Sequence, residues 1–103
     1  MHHGRVSPYP DIMKHNTYFG GAVQSLGFSH ERGEATLGVM EPGEYEFSTG
    51  APERMDIIAG VIEAKLPGGE WAAYSAGQHF NVPGNVKFHV RMKAQVAYAC
   101  WFG

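Results

Sequence analysis

The chain has 103 residues, 44% hydrophobic, 13% aromatic and 17% charged, which is enough to close one core and too little for two. Eight Lys and Arg against ten Asp and Glu give a formal net charge of -2, so no overall positive field draws it to nucleic acid or an anionic membrane, and small ligands become the expected partners. No apolar run approaches the roughly 18 to 20 residues of a membrane helix, and the opening Met1-His2-His3-Gly4-Arg5-Val6-Ser7-Pro8 lacks the hydrophobic centre of a signal peptide, which makes a cytoplasmic location the expectation.

Residues 1–16 carry Pro8, Pro10 and three histidines without any periodic pattern, and are expected to form a flexible arm ahead of a domain spanning 17–103. His2-His3 is compatible with a tag remnant. From there short runs follow one another: Ala22 to Phe28, Glu34 to Met40, Tyr45 to Ser48, Met55 to Ile58, Val61 to Leu66, Trp71 to Tyr74, Gln78 to Val82, Val86 to Lys93 and Gln95 to Phe102. Turn residues separate them, among them Glu41-Pro42-Gly43, Leu66-Pro67-Gly68-Gly69 and Pro83-Gly84-Asn85. The longest stretch free of Gly and Pro, Asn85 to Phe102, alternates: Val86, Phe88, Val90 and Met92 take one face and Lys87, His89, Arg91 and Lys93 the other. Long helices are therefore excluded, and turn signals every 8 to 12 residues or so predict an all-β antiparallel sandwich or barrel of about nine strands. Cys100 shares its parity with Val96, Tyr98 and Phe102 and reads as a buried thiol; as the only cysteine it forms no internal disulfide.

Two linked segments carry the most specific pattern. Gly43-Glu44-Tyr45-Glu46-Phe47-Ser48-Thr49 is followed by Glu53 and Gly60, and Gly77-Gln78-His79-Phe80-Asn81-Val82-Pro83-Gly84 is followed by His89. The pair is similar to the two motifs of cupins, and the resemblance implies a single jelly-roll β-barrel. A metal-binding cupin has His-x-His ahead of the glutamate; here Phe47 and Thr49, or Glu46 and Ser48, stand in those places, so no bound metal is expected.

Further blocks narrow the resemblance. Thr17-Tyr18-Phe19-Gly20, Ser25-Leu26-Gly27-Phe28-Ser29, Ala35-Thr36-Leu37-Gly38-Val39-Met40, the Gly43 to Thr49 segment, Glu53-Arg54-Met55 and Phe80-Asn81-Val82-Pro83 with Phe88-His89 resemble the pyrimidine/purine nucleoside phosphorylase family, from about Asn16 to Trp101. The resemblance implies phosphate-dependent cleavage of the N-glycosidic bond of many nucleosides, by a compact cupin that uses inorganic phosphate as co-substrate and no cofactor. It carries over no catalytic residues.

Roles are therefore assigned from chemistry. His89 is the first catalytic candidate, because an imidazole with an unperturbed pKa of about 6.5 can bind phosphate or hydrogen-bond a leaving base; the competing reading is a surface histidine between solvated Lys87 and Arg91. Glu44 or Glu46 could accept from ribose hydroxyls. Ser48 and Thr49 could donate to phosphate, or could cap local backbone at a turn. Tyr45, Phe47 and Phe80 could stack a base, which suits a broad substrate range, or could be core. Asn81 could hold the sugar or a turn, and Arg91 could attract phosphate from a charged strand face. Strand parity prevents Glu44, Glu46 and Ser48 from sharing a face with Tyr45, Phe47 and Thr49. His79 is a reserve candidate, and His15 and His30 read as loop residues. A homodimer pairing exposed sheet edges is expected. The alternative to an enzyme is a metal-free cupin that binds a small molecule or sugar without turnover. A metal cupin oxygenase is disfavoured by the missing histidine pair.

Overall fold

The computed structural model describes residues 13–103; the rest of the expected N-terminal arm lies outside the described residues. Among the described residues there are ten strands: β1 Lys14–Tyr18, β2 Val23–His30, β3 Gly33–Met40, β4 Gly43–Ser48, β5 Glu53–Ala59, β6 Val61–Lys65, β7 Ala72–Ser75, β8 His79–Val82, β9 Lys87–Met92 and β10 Val96–Phe102. A single 3-10 turn, Phe19–Gly21, joins β1 to β2. Nine of the strands coincide with the predicted runs to within two or three residues. The addition is β1, where Lys14, His15 and Asn16 pair with Gly27, Leu26 and Ser25; His15 is thus a strand residue, and His30 closes β2. Nothing in β1 is buried, so it carries none of the alternation that marks the others.

Hydrogen bonding groups the strands into two antiparallel sheets, β1-β2-β3-β10-β5-β8 and β4-β9-β6-β7. After β3 the chain passes repeatedly from one sheet to the other, so the two are wound together as a jelly roll. Alternation then builds the core. Val23, Met40, Val82 and Val96 from the larger sheet meet Ile62 and Val90 from the smaller, all essentially inaccessible to water. β5 carries a bulge: Ala97 pairs with Ala59 and Tyr98 with Ile57, so Ile58 is the extra residue and is pushed outward while Ile57 stays in the core. The Gly60 that follows sits at φ 90°, and a side chain there would meet the Gln95 carbonyl. The glutamate-to-glycine spacing noticed in the sequence thus spans β5 and the tight turn that ends it. Among the described residues no helix is long and apolar enough to cross a membrane.

Close packing at Gly38 shapes the interior. The Tyr98 ring lies directly over this glycine, and a Cβ would fall 2.5 Å from its hydroxyl and 2.7 Å from the Gln24 carbonyl oxygen. The second contact is to backbone and cannot swing aside. Gly38→Ala is expected to destabilise the fold by about 1–3 kcal/mol, the usual cost of overpacking, read as a fall in the thermal midpoint of about 4–8 °C per kcal/mol for a domain of this size.

Candidate active site

Between the sheets, beside the edge strand β4, the core opens into a cavity of about 440 Å³. Its mouth is rimmed by Tyr18 and Phe19 on one side and by Glu46, Phe47 and Ser48 on the other. Parity within β4 is resolved: Tyr45, Phe47 and Thr49 turn inward, whereas Glu44, Glu46 and Ser48 are exposed. Aromatic rings make the wall, with Phe47 5.6 Å from Phe19 and 5.8 Å from Phe88 between ring centres. Across from them β5 and β10 deliver polar groups: Glu53 at the start of β5, and Tyr98 and Cys100 on the inner face of β10.

Glu53 is half-buried, and this loss of water raises its carboxyl above the usual value of 4.5, opposed by a hydrogen bond from Cys100. The Cys100 thiol donates to Glu53 Oε1 at 3.3 Å. Burial first, and the neighbouring Glu53 second, push the thiol up, so it stays protonated and is a donor rather than a nucleophile. Tyr98 is likewise pushed up to about 12, chiefly by burial and against the opposing effect of the Ser25 side chain, which accepts from Asn16 Nδ2 at 3.2 Å. No buried side-chain nitrogen or oxygen is left without a partner among the described residues. Nor do three His, Cys, Asp or Glu side chains converge there as a metal site would require.

The expected site residues divide into four groups. Phe47 reaches the cavity, with Glu46 and Ser48 at its rim. Tyr45 and Phe80 are core: the Tyr45 hydroxyl donates to the Glu41 carbonyl at 2.7 Å, and Phe80 packs 4.8 Å from Tyr74. Asn81 stands outside the cavity, on the outer face of β8 with His79. His89, Glu44 and Arg91 lie on the outer face of the smaller sheet, opposite in parity to buried Phe88 and Val90. His89 Nε2 sits 3.1 Å from Glu46 Oε2, so it touches the cavity rim only through that carboxylate. Arg91 is held by Glu63 at 2.8 Å and lies 3.9 Å over the Trp71 ring.

Thr49 resolves in favour of the backbone cap. Its hydroxyl donates to the Pro83 carbonyl at 2.7 Å and accepts from the Val86 amide at 3.1 Å, stitching the end of β4 to the turn between β8 and β9. Residues that the sequence reading did not place in the site are Ser25, Tyr98 and Cys100, along with Glu53, which entered it only through its spacing to Gly60. Their shared signal was inward parity on strands whose neighbours were unknown.

The fold is of the cupin type: at 20% identity the Cupin_2 domain of an XRE-family transcriptional regulator from Enterobacter cloacae shares it with a TM-score of 0.57, over 65% of this chain and 76% of that one. Residues 13–102 match the model of the pyrimidine/purine nucleoside phosphorylase family, and the chain belongs to that family. A pyrimidine/purine nucleoside phosphorylase from Tolumonas auensis is 52% identical over 90 residues, covering 86% of this chain and 97% of the relative. A protein of unknown function from Vibrio parahaemolyticus, 44% identical, superimposes with a TM-score of 0.84 over 87% of this chain and 97% of its own.

Replacing Thr49 with Val keeps the shape and removes both hydroxyl hydrogen bonds. The expected result is a loss of about 1–3 kcal/mol of stability, because the Val86 amide loses its partner, measured by denaturant unfolding, with ligand affinity per folded molecule unchanged.

Proposed function

We propose that the protein is a broad-specificity nucleoside phosphorylase, cleaving the N-glycosidic bond of purine and pyrimidine nucleosides with inorganic phosphate to free base and ribose 1-phosphate, in the cytoplasm and without a cofactor. The observation that carries this reading is the half-buried Glu53 carboxyl facing an aromatic wall across a cavity, in a chain whose relatives bear that name. The volume of about 440 Å³ lies in the ordinary range for small-molecule sites. Phe19, Phe47 and Phe88 line the cavity, and aromatic rings stack any base and read the hydrogen-bonding edge of none. Glu53, as carboxylate, accepts from the ribose hydroxyls and fixes the sugar. The Tyr98 hydroxyl, kept protonated, is a neutral donor toward charge building on the departing base. A phosphate oxygen bonds to C1′ as the bond from C1′ to the base breaks; the electron pair leaves with the base, and the proton that hydrogen phosphate gives up is the one the free base gains. His89 and Glu44 do not face the cavity, so in this reading His89 acts on the site only by positioning Glu46.

The test is base release from uridine, cytidine, thymidine, inosine, adenosine and guanosine with and without phosphate, after dialysis against chelator. Release that requires phosphate is the expected outcome; none from a folded protein would leave a binding module. Glu53→Gln is expected to lower kcat/KM about 10- to 100-fold, the worth of hydrogen bonds to a charged acceptor, and to narrow the preference for ribonucleosides over 2′-deoxynucleosides. Because the carboxylate is the accepting form, wild-type kcat/KM rises with pH through the elevated Glu53 value, and that limb disappears in the variant. Unchanged kinetics in Glu53→Gln would remove this residue from the mechanism.

The reading includes a homodimer. Leu26, Leu37, Val39 and Ile58 are each near half-exposed and form a continuous apolar patch on the outer face of the larger sheet, since Leu26 pairs with Leu37 and Val39 with Ala97. The surface available for pairing is thus a sheet face as well as an edge. Light scattering is expected to give twice the chain mass for the wild type and the single mass for Leu37→Glu; a monomeric wild type would refute the dimer.

A further inference from the structure

Among the described residues the cavity lacks the charge that phosphate needs: its lining includes the carboxylates of Glu46 and Glu53 and no Lys, Arg or His. A second concavity of about 770 Å³ lies over the end of the larger sheet and shares two residues with the first, Glu53 and Phe102. The register brings its floor together: Trp101 of β10 pairs with Arg54 of β5, which pairs with Asn81 of β8, and all three face outward. The end of β2 adds His30, and the turn after it Arg32.

The hydrogen bonds decide which of these groups are available. Asp56 is occupied by Arg54, through Nε and a terminal nitrogen at 3.2–3.3 Å, and by the Trp101 indole N–H at 2.6 Å. That carboxylate is therefore matched by donors already in place. Arg32 forms no ion pair among the described residues, and its backbone N–H donates to His30 Nδ1 at 3.2 Å. A neutral His30 that accepts at Nδ1 carries its proton on Nε2, which makes that nitrogen a second donor. The His30 ring is held edge-on to Trp101, 5.2 Å between centres.

From this placement we infer that inorganic phosphate binds in the cleft between Arg32, His30, Arg54 and Asn81 and reaches a nucleoside in the cavity past Glu53 and Phe102. The inference rests on the phosphorolysis reading for its role, though not for the binding itself. Cavity and cleft then take opposite sides of the ribose. The base stacks inside, and phosphate approaches C1′ from the cleft, on the side away from the base, as an in-line displacement requires. Arg32 supplies the uncompensated charge, and Arg54, whose Nε and one terminal nitrogen are held by Asp56, offers its other terminal nitrogen.

The test separates binding from turnover. Inorganic phosphate is titrated into wild type, Arg32→Gln and His30→Gln and followed by phosphorus NMR without nucleoside; steady-state kinetics then give KM for phosphate and for uridine. The expected result is a rise of about tenfold in both the phosphate Kd and the phosphate KM for Arg32→Gln, the loss of one charge-assisted contact, with KM for uridine within about twofold of wild type. Arg32→Lys is expected to recover part of the loss, since it keeps charge without the fork. Unaltered phosphate affinity in both variants, or an equal rise in both KM values, would overturn the site. Should the wild type release no base, the enzymatic reading fails by itself, and the NMR titration still decides whether phosphate binds here. Arg32 lies on an exposed turn, and thermal melts verify that each variant is folded.

Discussion

The molecule depends on β10 being hydrogen-bonded along both edges, to β3 on one side and β5 on the other. A strand in that position has no free backbone, so its side chains have only two directions, and both are committed. Inward go Val96, which seals the core, then Tyr98 and Cys100, which reach the cavity. Outward goes Trp101, which anchors Asp56 and floors the cleft. One central strand therefore joins the stability of the fold to both concavities.

Glu53 is the point where these concavities meet, and its environment explains why it sits there. It begins β5, at the end of the sheet, so it is only half-buried; deeper in, a carboxyl without a cation would be costly. The partner offered is the weakest available donor, the Cys100 thiol, which moderates the carboxyl without neutralising it by an ion pair. His89 pairs with Glu46 and Arg91 with Glu63 on the outer face of the smaller sheet, where water shares the cost. The interior is left with neutral hydroxyl and thiol donors and a single carboxyl among rings, while Arg32 and Arg54 lie at the end of the larger sheet.

Alternation and turn chemistry made the class of fold legible before any coordinates, along with nine of the ten strands and the burial of Cys100. The Glu53 to Gly60 spacing and the Gly-Glu-Tyr-x-Phe-Ser-Thr and Phe-Asn-Val-Pro blocks made the family legible as well. β1 was missed because an edge strand with no buried residue has no periodic signature. Thr49 was an even choice between ligand and cap because its hydroxyl partners, Pro83 and Val86, lie 34 and 37 residues away in the chain.

The amino-acid sequence by itself determined that this chain is a small all-β domain with two-faced strands, because period-two alternation and Gly-Pro turns are local properties. Only the tertiary structure decided which face is the inside. His89, Arg91 and Glu44 share a sheet face that alternation marks as polar, and polarity suits a wet surface as well as a site; the packing of Phe88 and Val90 settles it as the outer one. Glu53, Tyr98 and Cys100 converge, and Trp101, Arg54 and Asn81 align, because β10 pairs with β5 and β5 with β8 in one register. That register is set by the sum of long-range contacts, which no single segment of sequence contains.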